Sequence, residues 1–199
     1  MKHAVNKRFI YIFAVMVAAF ISSVPAQAAT FRGVVGLGYD SGGDVLFRGI
    51  YTSGSTWEVR ANQGLLINGG VVMATGSFET QLTVGYKFGG PTATNGSVTF
   101  DVIPVEVMEF YRTSNVRMGL GLSYHNSPKV VVDVPGSSLN GTYKFDNAMG
   151  IVAQIGWAPV KSPFSIDLRY TGITYKQSNI SNAKDTNANA IGVYASFFF

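Results

Sequence analysis

Hydrophobic and polar residues alternate along most of the chain beyond residue 28, and clusters of Gly, Ser, Asn and Pro interrupt the alternation at intervals. In the segment 164–170, Phe, Ile, Leu and Tyr fall on one face, while Ser, Asp and Arg fall on the other. The end of the chain repeats this pattern, with one apolar face formed by Ile191, Val193, Ala195, Phe197 and Phe199. A period of two is that of an extended strand, whose successive side chains point to opposite faces. The pattern therefore predicts an all-β protein.

The alternation predicts eight strands, at about 30–40, 56–73, 78–88, 98–111, 116–133, 142–158, 164–177 and 189–199. Short connections at 74–77, 112–115 and 159–163 alternate with longer ones near 41–55, 89–97, 134–141 and 178–188. Short turns at one end and long loops at the other are typical of transmembrane β-barrels. Residues 44–51 also alternate, and we expect them to extend the first hairpin outward to a turn at 52–55.

The polarity of the two strand faces distinguishes a membrane barrel from a soluble one. In the fifth predicted strand, one face carries no charge and consists of Val116, Met118, Leu120, Leu122 and Tyr124. The opposite face is too small and polar for a dry core, with Arg117, Gly119, Gly121, Ser123 and His125. A soluble barrel of this size would place many Lys and Glu residues on its outer face. The apolar face therefore faces lipid, and the fold class is an antiparallel eight-stranded transmembrane β-barrel.

Aromatic residues gather near the predicted strand ends, as the aromatic girdles of a bilayer barrel do. They are Phe31, Tyr39, Trp57, Phe78, Tyr86, Phe88, Tyr111, Trp157, Phe164 and Tyr170.

The N-terminus has the order of a secretory signal peptide. Basic residues at 2, 7 and 8 precede an apolar run over 9–24, and Ala26 and Ala28 supply the small residues of a cleavage site. The alternative, a transmembrane anchor, needs about 20 apolar residues and is disfavoured by the shorter run. We expect a signal peptide at 1–28 and a barrel domain at 29–199. The remaining chain has 12 basic and 11 acidic residues, so its net charge of +1 does not suggest nucleic-acid binding.

The composition argues against most catalytic sites. The chain has no Cys, and only His125 remains after the signal peptide, so we expect no metal site and no cofactor. His125 and Ser127 are spaced to share a strand face. The pair is similar to the His-x-Ser pair of the lipid A deacylases among small barrels, but Pro128 replaces the Asn that follows there. The pair also faces the interior without an acidic partner, so we expect no enzyme activity.

The last ten residues resemble the C-terminal assembly signal of outer-membrane barrels. They end in Phe199 and place Val193, Ala195 and Phe197 at alternate positions before it. In size and layout the whole mature chain is similar to the OmpA/OmpX/OmpW-type small barrels of Gram-negative bacteria. The resemblance implies a location in the cell outer membrane and insertion by the outer-membrane assembly machinery. It says little about function, because small barrels host many activities.

Six charged residues on the interior faces lie near the short-turn end, three of each sign: Arg32, Glu79, Glu106, Arg117, Asp167 and Arg169. Buried charges are costly unless they are paired, so we expect a network across the barrel. Strand proximity suggests that Glu79 pairs with Arg60 and Glu106 with Arg117. The network would close the interior, whereas a gated ion path would use the same residues.

A second charged set is expected at the solvated outer rim. Its basic members, Arg60, Lys87 and Lys144, are candidate contacts for lipopolysaccharide phosphates, and its acidic members are Asp40, Glu58 and Asp146. Two functional classes remain open. The first is a non-enzymatic outer-membrane protein, structural or interacting through its exterior loops; the second is a narrow channel for small or hydrophobic molecules, as the OmpW resemblance implies.

Overall fold

A computed structural model describes residues 29–50, 54–93, 96–180 and 182–199. The predicted signal peptide at 1–28 lies outside the described residues, as does part of the predicted turn at 52–55. In the described part of the chain, no helix has the length and apolar character needed to cross a membrane.

Eight antiparallel strands close into a barrel, which confirms the predicted fold. They are β1 (Thr30–Gly42), β2 (Gly64–Thr75), β3 (Phe78–Gly89), β4 (Gly96–Arg112), β5 (Val116–Asp133), β6 (Ala148–Trp157), β7 (Phe164–Gly172) and β8 (Ala190–Phe198). Each strand pairs with the next, and β8 pairs with β1, so the ring of backbone hydrogen bonds has no free edge. Closure matters because an unpaired backbone group in hydrocarbon costs several kcal/mol.

The strands continue past the barrel at the end that carries the long loops. Four short strand pairs build this outer extension, and they involve Val45–Ile50 with Thr56–Arg60, Thr92–Ala93 with β4, Gly141–Lys144 with β5, and Thr174–Tyr175 with Thr186–Asn187. The predicted strand 56–73 is thus divided at 61–63, where Asn62 has a φ of 63° and turns the chain. The predicted strand 142–158 is likewise divided at 145–147.

The barrel exposes an apolar band and keeps its charges inside. Exposed residues of this band include Val35, Leu37, Ile67, Val71, Leu82, Val84, Met118, Leu120, Ile151, Ile155, Ile166, Leu168, Ile191 and Val193. Glu109 is an exception, and its carboxylate accepts a hydrogen bond from Thr80 Oγ1 at 2.7 Å. This arrangement inverts that of a soluble barrel and suits a hydrocarbon solvent.

Exposed aromatic residues lie at both ends of the apolar band. Phe78 and Tyr111 pair at the short-turn end with ring centroids 5.5 Å apart, and Tyr86 and Phe88 stack at the long-loop end, also at 5.5 Å. Trp57 differs from the predicted girdle position, because it belongs to the outer extension and packs against that extension's core.

The outer extension has an apolar interior, unlike the barrel beneath it. Its buried residues form one cluster that consists of Val59, Ala61, Val98, Phe100, Val102, Val130, Val132, Phe145, Ile173, Tyr175 and Ala188. The extension lies beyond the exposed apolar band of the barrel, so its apolar side chains gain by turning inward. The interior therefore changes from charged to apolar along the barrel axis.

Candidate functional site

All six residues predicted for the interior network are placed inside the barrel, where they form three separate ion pairs. Arg32 pairs with Glu79, Arg117 with Asp167, and Arg169 with Glu106. The pairings suggested by strand proximity are wrong. Glu79 does not reach Arg60, which binds Glu58 in the outer extension, and Glu106 binds Arg169 rather than Arg117.

The pair of Arg117 and Asp167 is bidentate. Arg117 Nε donates to Asp167 Oδ1 at 2.8 Å, and Nη2 donates to Oδ2 at 2.6 Å. Ser165 Oγ adds a bond to Oδ2 at 2.9 Å, and the Arg117 guanidinium lies 4.4 Å from the Phe110 ring centroid. Both charged side chains are almost fully buried. Parallel N–H···O bonds fix the planes of both groups, so the pair is a rigid cross-link between β5 and β7.

The pair of Arg169 and Glu106 spans the barrel between β7 and β4. Arg169 Nη1 donates to Glu106 Oε2 at 2.8 Å, and Nη2 makes a second bond to Oε1. Ser123 Oγ also donates to Oε1 at 2.8 Å, and Tyr194 covers the guanidinium at 4.9 Å. These contacts replace the water that both charges lose on burial.

At the short-turn end, Glu79 forms ion pairs with two arginines. Arg32 Nη2 donates to Glu79 Oε1 at 2.6 Å, and Arg112 Nε lies 3.0 Å from the same oxygen. Phe198 packs at the centre of this group, with the guanidinium carbons of Arg32, Arg112 and Arg117 between 5.2 and 5.7 Å from its ring centroid. Arg112 was not among the predicted residues, although its position on the inward face of β4 follows from the same alternation.

The fourth pair corrects the prediction of a solvated rim at Lys87. Lys87 and Asp40 are both fully buried inside the barrel, and Lys87 Nζ donates to an Asp40 carboxylate oxygen. Asn62 Oδ1 accepts a second bond from Nζ at 2.7 Å, and Tyr194 OH donates to Asp40 Oδ2 at 3.0 Å. The outer extension causes the difference, since it continues the wall above both residues and keeps water from them.

His125 and Tyr175 lie where the charged interior meets the apolar extension. Nδ1 of His125 is 2.5 Å from Tyr175 OH, and Tyr175 packs between Phe100 and Phe145 with centroid distances of 6.1 and 5.8 Å. Ser127 does not share the face of His125. It has a φ of 52° at a bulge in β5 and is exposed, whereas His125 is fully buried. The bulge separates the two side chains, so they make no nucleophile and base pair.

Of the remaining rim residues, Lys144 and Asp146 are exposed, whereas Glu58 and Arg60 are half-buried. Arg48 and Arg60 both bind Glu58, at 2.5 and 2.6 Å, on the outside of the extension. These two hydrogen bonds lower the pKa of the Glu58 carboxyl below its usual range. Lys144 also lies on the extension and is exposed to solvent.

The predicted assembly residues form the outward face of β8. Val193, Ala195, Phe197 and Phe199 are exposed to the membrane side, and Phe164 packs on Phe197 at 4.9 Å. The backbone of Phe199 closes the barrel seam, because it exchanges two hydrogen bonds with Gly33, at 2.7 and 3.0 Å.

A scan against protein-family models found no match, and a search of curated proteins found none either. Among solved structures, the chain is similar to Ail, the attachment invasion locus protein of Yersinia pestis, solved with a heparin analogue. The identity is 12%, the TM-score 0.51, and the match covers 87% of this chain and 99% of that one.

Neisserial surface protein A matches with a TM-score of 0.49 at 12% identity, over 87% of this chain and 100% of that one. The outer-membrane protein AlkL matches with a TM-score of 0.37 at 13% identity, over 89% and 95%. At these identities the likeness concerns the fold. With its closed ring of eight strands, apolar exterior and charged interior, the chain has the fold of a small outer-membrane β-barrel protein.

Proposed function

We propose that this protein is a non-enzymatic outer-membrane barrel whose interior is closed, and that it acts through its outer extension. The observation that carries the proposal is the series of interior ion pairs along the barrel axis, followed by the apolar cluster of the extension. Ion pairs follow one another from Arg32 and Glu79 at the short-turn end to Lys87 and Asp40, and the apolar cluster of the extension begins directly above.

The energetics of the ion pairs support a closed interior. Removing one partner of a buried pair costs about 3–5 kcal/mol, because the other charge stays buried without compensation. Opening a path for ions would have to disrupt several such pairs together. An eight-stranded barrel also encloses a space that side chains can fill, so no wide lumen remains for solutes. A narrow channel for hydrophobic molecules would need an open passage through the extension, where the described side chains pack against one another.

The proposed non-enzymatic role is supported by the placement of His125 and Ser127, whose spacing suggests a base and nucleophile. His125 Nδ1 is hydrogen-bonded to Tyr175 OH, and Ser127 points away from His125 at the bulge. The extension is then the part able to meet partners. Arg48 and Lys144, which are exposed, and the half-buried Arg60 give it cationic groups that suit the phosphates of lipopolysaccharide. The assembly machinery would bind the outward face of β8.

Planar-bilayer recording of the purified barrel tests the closed interior. We expect the native protein to be silent, and a variant that removes both mid-barrel arginines, Arg117→Ala with Arg169→Ala, to show conductance. Arg48→Ala with Arg60→Ala is the matched control, since it removes two arginines from the exposed extension and should stay silent. Steady single-channel currents from the folded native protein would overturn the proposal, and heat-modifiable migration on gels would verify folding in each sample.

A further inference from the structure

In the part of the chain that the structure describes, the wall of the outer extension is open along one seam. Backbone pairing joins neighbouring segments around the extension, including Val45–Ile50 with Thr56–Arg60, β5 with Gly141–Lys144, and Thr174–Tyr175 with Thr186–Asn187. Asp44 N donates to Asn187 O at 2.7 Å and continues the ring. Across the described residues, no such pairing joins Thr56–Arg60 to the wall formed by residues 91–102.

A cavity of about 640 Å³ occupies this seam. Its floor lies where the pairing of β2 with β3 ends, at Leu65 and Phe88, and its two walls are the diverging segments above. Ligand sites usually have volumes of about 300–1,000 Å³ and combine apolar walls with a few polar groups. The seam therefore has the dimensions of a binding cleft, and it lies on the side of the barrel rather than on its axis.

The lower rim of the cleft is continuous with the lipid-facing band. Tyr39, Leu65, Tyr86 and Phe88 line it, and their side chains point out of the barrel at the long-loop end of that band. Trp57 and Val59 line the wall above. A molecule could therefore keep an aliphatic chain against the aromatic rim while its head reaches the cleft from the outer leaflet.

The charged groups of the cleft are already compensated. Glu58 binds Arg48 and Arg60, while Asp101 accepts a hydrogen bond from Tyr86 OH at 2.9 Å and lies 3.9 Å from Lys129 Nζ. A charged head would have to displace one of these partners. An uncharged hydroxyl can instead form hydrogen bonds with Thr92 and Thr99, which also line the cleft. We propose that the cleft binds a single-chain amphiphile with an uncharged head, taken laterally from the outer leaflet. The site needs no path through the interior, so it is independent of the proposed closed barrel.

Tryptophan fluorescence provides a direct test. Of the two tryptophans, Trp57 lines the cleft and Trp157 lies at the short-turn end, so Trp157→Phe leaves a reporter in the cleft and Trp57→Phe leaves one far from it. The full barrel domain in lipid nanodiscs is titrated with a terminally brominated medium-chain alcohol. We expect saturable quenching of Trp57, reversed by the unbrominated alcohol, and only unsaturated, partition-like quenching of Trp157.

Partly filling the cleft should weaken binding. In the Trp157→Phe background, Thr99→Phe is expected to weaken the apparent affinity by roughly tenfold or more, about 1.4 kcal/mol. Thr142→Phe is the matched control, because Thr142 is exposed on the extension outside the cleft and should leave the affinity unchanged. Three outcomes would each overturn the proposal. The first is linear quenching of Trp57, and the second is equal binding by Thr99→Phe in a barrel that still shows heat-modifiable migration. The third is equally tight binding of a brominated carboxylate or alkylammonium of the same chain length.

Discussion

Arg117 and Asp167 meet directly above Gly156, which lies between them on β6. Gly156 is in register with Arg117 on one side and with Asp167 on the other. A Cβ at position 156 would lie 2.3 Å from the backbone oxygen of Ile166 and 2.4 Å from Asp167 Oδ1, closer than real Cβ contacts allow. The glycine therefore makes room for the bidentate ion pair that cross-links two strands which are not themselves neighbours.

The Gly156→Ala variant should consequently lose stability, through the ion pair and through the β7 backbone beside it. The added methyl group meets both the Ile166 backbone oxygen and the Asp167 carboxylate, so one or both must shift. We expect a loss of about 2–4 kcal/mol, between that of one charge-assisted hydrogen bond and that of a whole buried pair. Reversible denaturant unfolding from lipid vesicles measures it. Gly69→Ala is the matched control, because its Cβ would make ordinary van der Waals contacts with Val34 O at 3.7 Å and Val35 Cγ1 at 3.9 Å. Equal destabilisation by the two variants would show that the spacing above Gly156 is unimportant.

A double-mutant cycle on Arg169 and Glu106 should reveal strong coupling. The two groups share two hydrogen bonds in a buried site, so we expect a coupling energy of about 1–3 kcal/mol in the free energy of unfolding. Arg117 with Glu106 is the control cycle, in which the residues belong to different ion pairs. Coupling there should stay below about 0.5 kcal/mol. Strong coupling in both cycles would mean that the pairs act as one network.

Leu120→Arg tests the assignment of the outer face. Leu120 is 70% exposed at the middle of the apolar band, where an Arg should destabilise the barrel by about 2–4 kcal/mol. Leu139→Arg places the same charge at an exposed residue of the outer extension, where water is available, and its effect should be within about 0.5 kcal/mol of zero. Unfolding from vesicles compares the two, and similar free-energy changes would contradict the assignment.

Deleting Phe199 should reduce the yield of folded barrel. The deletion removes two backbone hydrogen bonds to Gly33 at the seam between β1 and β8, together with the end of the predicted assembly signal. Heat-modifiable migration after assembly in cells measures the yield. Phe199→Leu keeps the backbone bonds and is the control that separates seam closure from recognition of the aromatic ring. An undiminished yield of the deletion variant would count against both roles.

The sequence alone determined the barrel, its strand number and the orientation of nearly every strand residue. Those properties follow from the period-two pattern, which is local, and from the uncharged outer face, which indicates that this face contacts lipid rather than water. Inward positions such as Arg112 and Lys87 also obey the alternation. The sign of their charge and the face of the strand to which they point could therefore be predicted without coordinates.

The depth of each interior side chain and the identity of its partners depend on the tertiary structure. Lys87 is buried because the extension continues the wall above it. The sequence around Lys87 does not indicate which distant segments will cover it. Ion pairs such as Arg169 with Glu106 join residues 63 positions apart across the interior, so strand proximity could not select them. Ser127 turned outward because the ladder to β4 shifts register nearby, and a bulge depends on both strands. Local periodicity sets which way a side chain points, whereas its height and its neighbours depend on how the whole barrel closes.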